Sequence, residues 1–254
     1  MRENKIAWNI LRVRETGSTN SDLVRLASEG KADEGTVIVA ESQTAGRGRQ
    51  GREWVSRPGA GLYFSMLLRP DAPPAQVATL PLAVGVAVAR ALEGLLSRMR
   101  LSIKWPNDIV ANGKKLCGIL CEAGARDGER YIVAGIGINV NVDEHSLPPE
   151  LAEIATSLRM LANREFDTSS VLASVLTSFE EVYRLWLNGG IPAIGKDLEL
   201  RDYLKGRRVE MRLLGTPVSG IACGIADSGA LLLRRDDGAI EEIYSGEAHI
   251  GSNG

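Results

Sequence analysis

Between Gln43 and Trp54 the chain reads Gln43-Thr44-Ala45-Gly46-Arg47-Gly48-Arg49-Gln50-Gly51-Arg52-Glu53-Trp54, three glycines interleaved with three arginines. Glycine lets a backbone come close to a ligand where a Cβ would clash, and the guanidinium is a planar donor fork matched to carboxylate and phosphate. The chemistry on offer is capture of an anion. The run lacks the spacing and the Lys-Ser/Thr ending of a Walker A loop, so it is not the usual nucleotide cradle. Two further groups stand beside it. Lys104-Trp105-Pro106-Asn107-Asp108 puts a lysine at a strand end, where the proline takes the chain out of regular structure. Gly135-Ile136-Gly137-Ile138-Asn139-Val140-Asn141 reads as a strand whose glycines admit close approach and whose asparagines present polar tips.

Each of these has a plainer reading when taken alone. A Gly/Arg run is more often a solvated loop or an RNA-binding tail, but this one is short, lies between two strands and is followed by Trp54. Ser18-Thr19-Asn20 is a helix N-cap, which occupies one oxygen and leaves the other groups for a ligand. Gly135-Ile136-Gly137 has no third glycine opening a helix and so is not a dinucleotide loop. Cys117 and Cys121 alternate onto a strand face as small core residues, and His145 and His249 have no catalytic role in this reading.

These residues must be positioned by interleaved strands and helices. Glu15 to Asn20 caps a helix from about Asn20 to Glu29, with Gly30 at its C-terminus. Thr36–Ala40 and Gly61–Leu68 are buried strands, so the charged glycine run connects strand to strand. A helix spans Pro81 to about Arg100, a strand follows at Leu101–Lys104, and hairpins fall at Ile109-Val110, Lys115–Glu122 and Tyr131–Val142. Asp167-Thr168-Ser169-Ser170 caps a helix with an apolar stripe from Val171 to Trp186, ended by Gly189-Gly190. After Tyr203 the pattern changes to short alternating strands with tight turns at Gly215, Asp227-Ser228-Gly229 and Asp236-Asp237-Gly238, as in a small β-barrel.

Composition bounds the function. At 254 residues, with 44% hydrophobic and 24% charged residues, the chain has room for one large domain and a small one. A formal net charge of −2 provides no global field for a polyanion, so any basic site is local. Three cysteines give no disulfide framework and no metal cluster, which points to a reduced, cytoplasmic setting. No signal-peptide core follows Met1, and the apolar stretch Ala78–Leu96 is broken by Pro81, Arg90 and Glu93.

Taken as an ordered set, Ser18-Thr19-Asn20, Gln43 with Gly46–Arg52 and Trp54, Lys104–Asp108, Lys115-Leu116 with Gly118-Ile119-Leu120, Gly135–Asn139 and Ser245-Gly246-Glu247 resemble biotin protein ligases, the biotin–acetyl-CoA-carboxylase ligases. The resemblance runs through nearly the whole chain. It implies an α+β or α/β catalytic domain over residues 1–204, a mixed β-sheet covered by helices in the class II synthetase-like biotin ligase fold. An SH3-like barrel over residues 205–254 would follow it. It implies ATP, Mg²⁺ with the nucleotide and no metal ligand assigned to the protein, and biotin as substrate. Biotinyl-5′-AMP and pyrophosphate would form first; biotin would then pass to a lysine of a biotin carboxyl carrier domain, releasing AMP.

Carried over residue by residue, Lys104 and Arg47 are the catalytic cations. Ser18, Thr19, Asn20, Gln43, Arg47, Gly48, Arg49, Lys104 and Gly118 are the biotin contacts, while Arg49, Arg52, Trp54, Asn107, Lys115 and Asn139 are the ATP or adenylate contacts. The glycine run would close over the ligand as a mobile lid. Two departures matter. Only 17 residues precede Ser18, too few for the helix-turn-helix domain of the family's repressor branch, so DNA binding by that route is not expected. Gly251 stands near the position of a usual arginine, so ATP affinity is expected to lean on Arg52 and Lys104. Family members often pair as homodimers through the catalytic sheet, for which Tyr131–Val142 offers an apolar edge. The alternatives are lipoate or octanoate transfer within the same superfamily, and a biotin-sensing binding protein without turnover.

Overall fold

Eight consecutive buried residues, Gly61–Leu68, set the architecture, because a strand buried on both faces must be covered on both sides. This computed structural model describes residues 6–97, 99–144, 149–213 and 215–251. His145 lies outside them.

The first half of the chain contains β1 (Asn9–Thr16), α1 (Thr19–Ser28), β2 (Thr36–Gln43), β3 (Gly61–Leu68), α2 (Pro74–Val77) and α3 (Leu80–Leu95). Then come β4 (Ser102–Lys104), β5 (Asp108–Ala111), β6 (Lys114–Arg126), β7 (Glu129–Asn139), α4 (Pro149–Ala152), α5 (Leu158–Ala162) and α6 (Thr168–Arg201). The strands form one mixed sheet in the order β1-β2-β3-β7-β6-β5-β4, parallel only between β1 and β2.

Alternation along the central strands sends two sets of side chains in opposite directions. Leu62, Phe64, Met66 and Leu68 of β3, with Ile132, Ala134, Ile136 and Ile138 of β7, enter the main core beneath α3 and α6. Leu67, Tyr131 and Val133 enter a smaller cluster with Leu23 and Ala27 of α1. The α1 face therefore has less apolar cover, and the remainder of it is left for a site.

The small domain holds β8 (Arg208–Leu213), β9 (Thr216–Ile225), β10 (Leu231–Arg234), β11 (Ile240–Ile243) and β12 (His249–Ile250). They form an antiparallel sheet in the order β11-β10-β9-β8-β12. Val209, Met211, Leu231 and Ala248 belong to the same apolar cluster as α3 and β3, and the Trp105 indole donates to the Gly229 carbonyl at 3.0 Å.

Several expectations need correction. β7 is not an edge: β3 and β6 pair with it on either side, and the sheet ends at β1 and β4. β1 was not foreseen, because all its residues but the last are exposed and its pattern is obscured. α3 stops at Leu95 rather than near Arg100. Gly190 does not end α6; it kinks it at φ 60°, ψ −149°, and helix resumes to Arg201 with Pro192 in the first turn after the kink.

Candidate active site

Register builds the floor of the site. Gly118 of β6 pairs with Gly137 of β7, which pairs with Tyr63 of β3; one row along, Leu120 pairs with Gly135, which pairs with Ser65. Adjacent glycines leave a trough in the sheet on the α1 face. A Cβ on Gly135 would lie 2.0 Å from the Asn20 Oδ1, and one on Gly137 or Gly118 would lie 2.5 or 2.7 Å from the Trp54 ring. The glycines are there for close approach, as expected of the Gly135–Asn139 strand.

One end of the trough is a network of neutral polar groups. Ser18 caps α1, accepting from the Ser21 N–H. The Thr19 N–H and hydroxyl both donate to the Gln43 Oε1, at 2.9 and 3.2 Å, and the Gln43 amide donates to Ser56. The Asn20 amide donates to the Leu120 carbonyl and to Glu122, while its carbonyl oxygen accepts from Ser65 at 2.5 Å. Asn20 is buried, and its donors are consumed by the protein, so it shapes the wall more than it faces a ligand. The Ser18 hydroxyl and the second Gln43 N–H remain for a group with both donors and acceptors.

The Gly/Arg run is a flap over this trough, not an open loop. Gln43 bridges Ser56 and Arg47 bridges Glu53 in antiparallel fashion; the Trp54 N–H donates to the Gly46 carbonyl and the Gly48 N–H to that of Arg52. Gln50 and Gly51 turn the tip through positive φ. Its three arginines fasten it in three places. Arg47 holds Glu122 of β6, Arg49 donates to the Asn107 side chain at 3.1 Å and the Gly246 carbonyl at 3.3 Å, and Arg52 grips Glu247 of the small domain with both terminal nitrogens.

The other end of the trough is cationic. Burial holds Arg49 and Lys104 below their ordinary pKa, with Asp108 opposing the shift in each. Lys115 pairs with Asp108 at 2.8 Å and lies over the Trp54 ring. Among the described residues the Lys104 ammonium has no hydrogen-bond or ion-pair partner, which leaves a half-buried cation without its anion. The buried Trp54 indole N–H likewise lacks an acceptor.

The structure gathers Ser18, Thr19, Asn20, Gln43, Arg47, Gly48, Arg49, Arg52, Trp54, Lys104, Asn107, Lys115 and Gly118 around one cavity. Asn139 stands apart, in an adjoining cavity that also reaches Tyr203 and His249. There its amide is spent on the Lys115 and Thr156 carbonyls. Arg52, Trp54, Lys104, Asp108 and Lys115 line both cavities. Sequence reasoning missed Ser65, Glu122 and the bordering position of His249. Ser65 and Glu122 sit in strands with no motif, and only the pairing register brings them to the trough. Among the described residues no three His, Cys, Asp or Glu side chains converge as a metal site.

Residues 13–139 match the family model for the biotin/lipoate A/B protein ligase family, and residues 205–251 match that for the biotin protein ligase C terminal domain. The chain is 41% identical over 235 residues to the bifunctional ligase/repressor BirA of Bacillus subtilis, an alignment spanning 92% of this chain and 71% of that one. It is 37% identical over 225 residues to the biotin–[acetyl-CoA-carboxylase] ligase of Mycobacterium tuberculosis, across 87% of this chain and 81% of that one. A solved structure of the biotin protein ligase from Aquifex aeolicus in complex with biotin and ATP superposes with a TM-score of 0.82 at 33% identity, covering 96% and 98% of the two chains.

Proposed function

The chain belongs to the biotin protein ligases, and we propose that its two adjoining cavities carry out the ligase reaction with Lys104 at their junction. Biotin lies in the glycine trough with its ureido group toward Ser18, Thr19 and Gln43, and its carboxylate toward Lys104. ATP enters the second cavity, where Arg52, Lys115 and Trp54 meet it, while Arg49 faces it from the trough side. A carboxylate oxygen attacks the α-phosphorus, the bond to the bridging oxygen breaks, and pyrophosphate leaves. The barrier is the approach of two anions, so positioned positive charge and exclusion of water supply most of the catalysis.

In the second step the ε-amine of a carrier lysine attacks the acyl carbon and AMP departs. Arg47 and Arg49, as flap residues, cover the mixed anhydride between the steps. The acceptor is a biotin carboxyl carrier domain. Mg²⁺ would accompany the nucleotide phosphates, with no ligand from the protein assigned to it, and no step here passes through it.

We place the domain division between residues 204 and 205, in the turn that links the end of α6 at Arg201 to the start of β8 at Arg208. The three free thiols support a reducing, cytoplasmic setting, and no helix among the described residues is long and apolar enough to cross a membrane.

The single observation that carries the reading is the unpartnered Lys104 ammonium shared by both cavities. The experiment is pyrophosphate release from ATP, Mg²⁺ and biotin without a carrier, alongside biotin binding by calorimetry. Lys104→Ala should lower pyrophosphate release while biotin still binds. Pyrophosphate release at the wild-type rate would remove Lys104 from the reaction.

A further inference from the structure

We infer that Glu122 is a positioning residue for the first product: through Arg47 it sets the flap over the trough so that the adenylate is kept until a carrier arrives. This rests on the ligase reading above. A single Arg47 nitrogen reaches both Glu122 carboxylate oxygens, at 2.7 and 2.6 Å. That leaves the remaining N–H groups of the fork, on Nε and the other terminal nitrogen, without a partner among the described residues. Arg47 is thus anchored at one corner, and its other donors remain for an anion below the flap.

The other side of the carboxylate holds the cavity wall. Glu122 Oε2 accepts from the Asn20 amide at 2.8 Å, and Asn20 in turn accepts from Ser65 on β3. One carboxylate therefore joins α1, β6 and the base of the flap. The other two flap arginines fasten to groups that do not touch the polar end of the trough. Of the three flap arginines, among the described residues only Arg47, through Glu122, ties the flap to the Asn20 wall that faces the bound molecule. With the Arg47 side chain 46% and the Glu122 side chain 30% exposed, the pair adds little to stability. Its effect belongs in the lifetime of the bound intermediate.

Glu122→Gln keeps length and an acceptor for Asn20 while removing the charge that holds Arg47. The test loads wild type, Glu122→Gln, Arg47→Ala and the double variant with ATP, Mg²⁺ and biotin, then follows escape of biotinyl-5′-AMP into solution after dilution. Biotin binding is measured on the same samples. Glu122→Gln should release the adenylate about tenfold faster with biotin affinity within about threefold of wild type, and the double variant should release it no faster than Arg47→Ala.

Wild-type retention in Glu122→Gln overturns the inference, as do multiplicative effects in the double variant. So does a parallel loss of biotin affinity, which would reduce Glu122 to upkeep of Asn20. Rescue by Glu122→Asp, which keeps the charge, would support it, while failure of Glu122→Asp to retain adenylate better than Glu122→Ala would count against it. Absence of adenylate from the wild-type protein would be a failure of the ligase reading instead, and is seen in the same experiment.

Discussion

At the residue scale Lys104 is the group on which the proposed chemistry depends. A half-buried cation with no hydrogen-bond or ion-pair partner is unfavourable, and the fold tolerates it because β4 and the turn at Pro106 hold it at the wall shared by the two cavities. Lys104→Ala should depress adenylate formation by about 10²- to 10³-fold while changing biotin affinity far less, since the charge matters most where the anions meet. Equal losses in both quantities would refute that role. Burial lowers the Lys104 pKa, so its cation is lost on raising the pH sooner than an ordinary lysine would lose it. The first half-reaction should therefore fall on the alkaline side earlier than an ordinary lysine predicts. Lys104→Arg should push that limb upward, which a pyrophosphate-release pH profile would record; an unmoved limb assigns it to another group. Lys104 and the flap arginines were legible in the sequence because their motifs are contiguous. Glu122 was not, because it meets Arg47 from 75 positions away and is brought there only by the β6–β7 register.

At the element scale, local patterns placed β2, β3, β6, β7 and α1 close to where they lie, since each is bounded by turn residues and carries a clear period. They failed where backbone geometry overrides composition. Gly189-Gly190 reads as a stop, yet Ile191, Ile194 and Leu198 are buried and pull the helix onward past the kink. Gly190 sits where only glycine is comfortable, so Gly190→Ala should cost about 1–3 kcal/mol in urea unfolding. Gly195→Ala, in regular helix with no atom within 4 Å of the added Cβ, should be neutral or stabilising. Similar costs at both sites would mean that the kink is not held by Gly190. The expectation of an edge at Tyr131–Val142 failed for a related reason: an apolar strand reads alike in the middle of a sheet and at its margin, and only pairing decides.

At the scale of the whole molecule, the small domain is part of the core and part of the site. Leu204, Val209, Leu231 and Ala248 share one apolar cluster with α3, and Gly246 and Glu247 fasten two flap arginines. Calorimetry should accordingly show a single unfolding transition. Leu204→Ala should shift that transition as a whole, costing about 2–5 kcal/mol. Two separated transitions would contradict a shared core. The alternating strands after Tyr203 announced a small β domain, but nothing in that pattern reveals which of its loops reaches back to the flap.

The central claim is that this assembly joins biotin to a carrier through Lys104, and the most direct test is the mass of a biotin carboxyl carrier domain. The carrier is incubated with the protein, ATP, Mg²⁺ and biotin, in parallel with the Lys104→Ala variant. The account predicts one biotinyl increment on the carrier lysine with the wild-type chain and at most a trace with the variant at equal time. A wild-type chain that binds biotin and ATP yet leaves the carrier mass unchanged, or a variant that modifies it as fast, would contradict it.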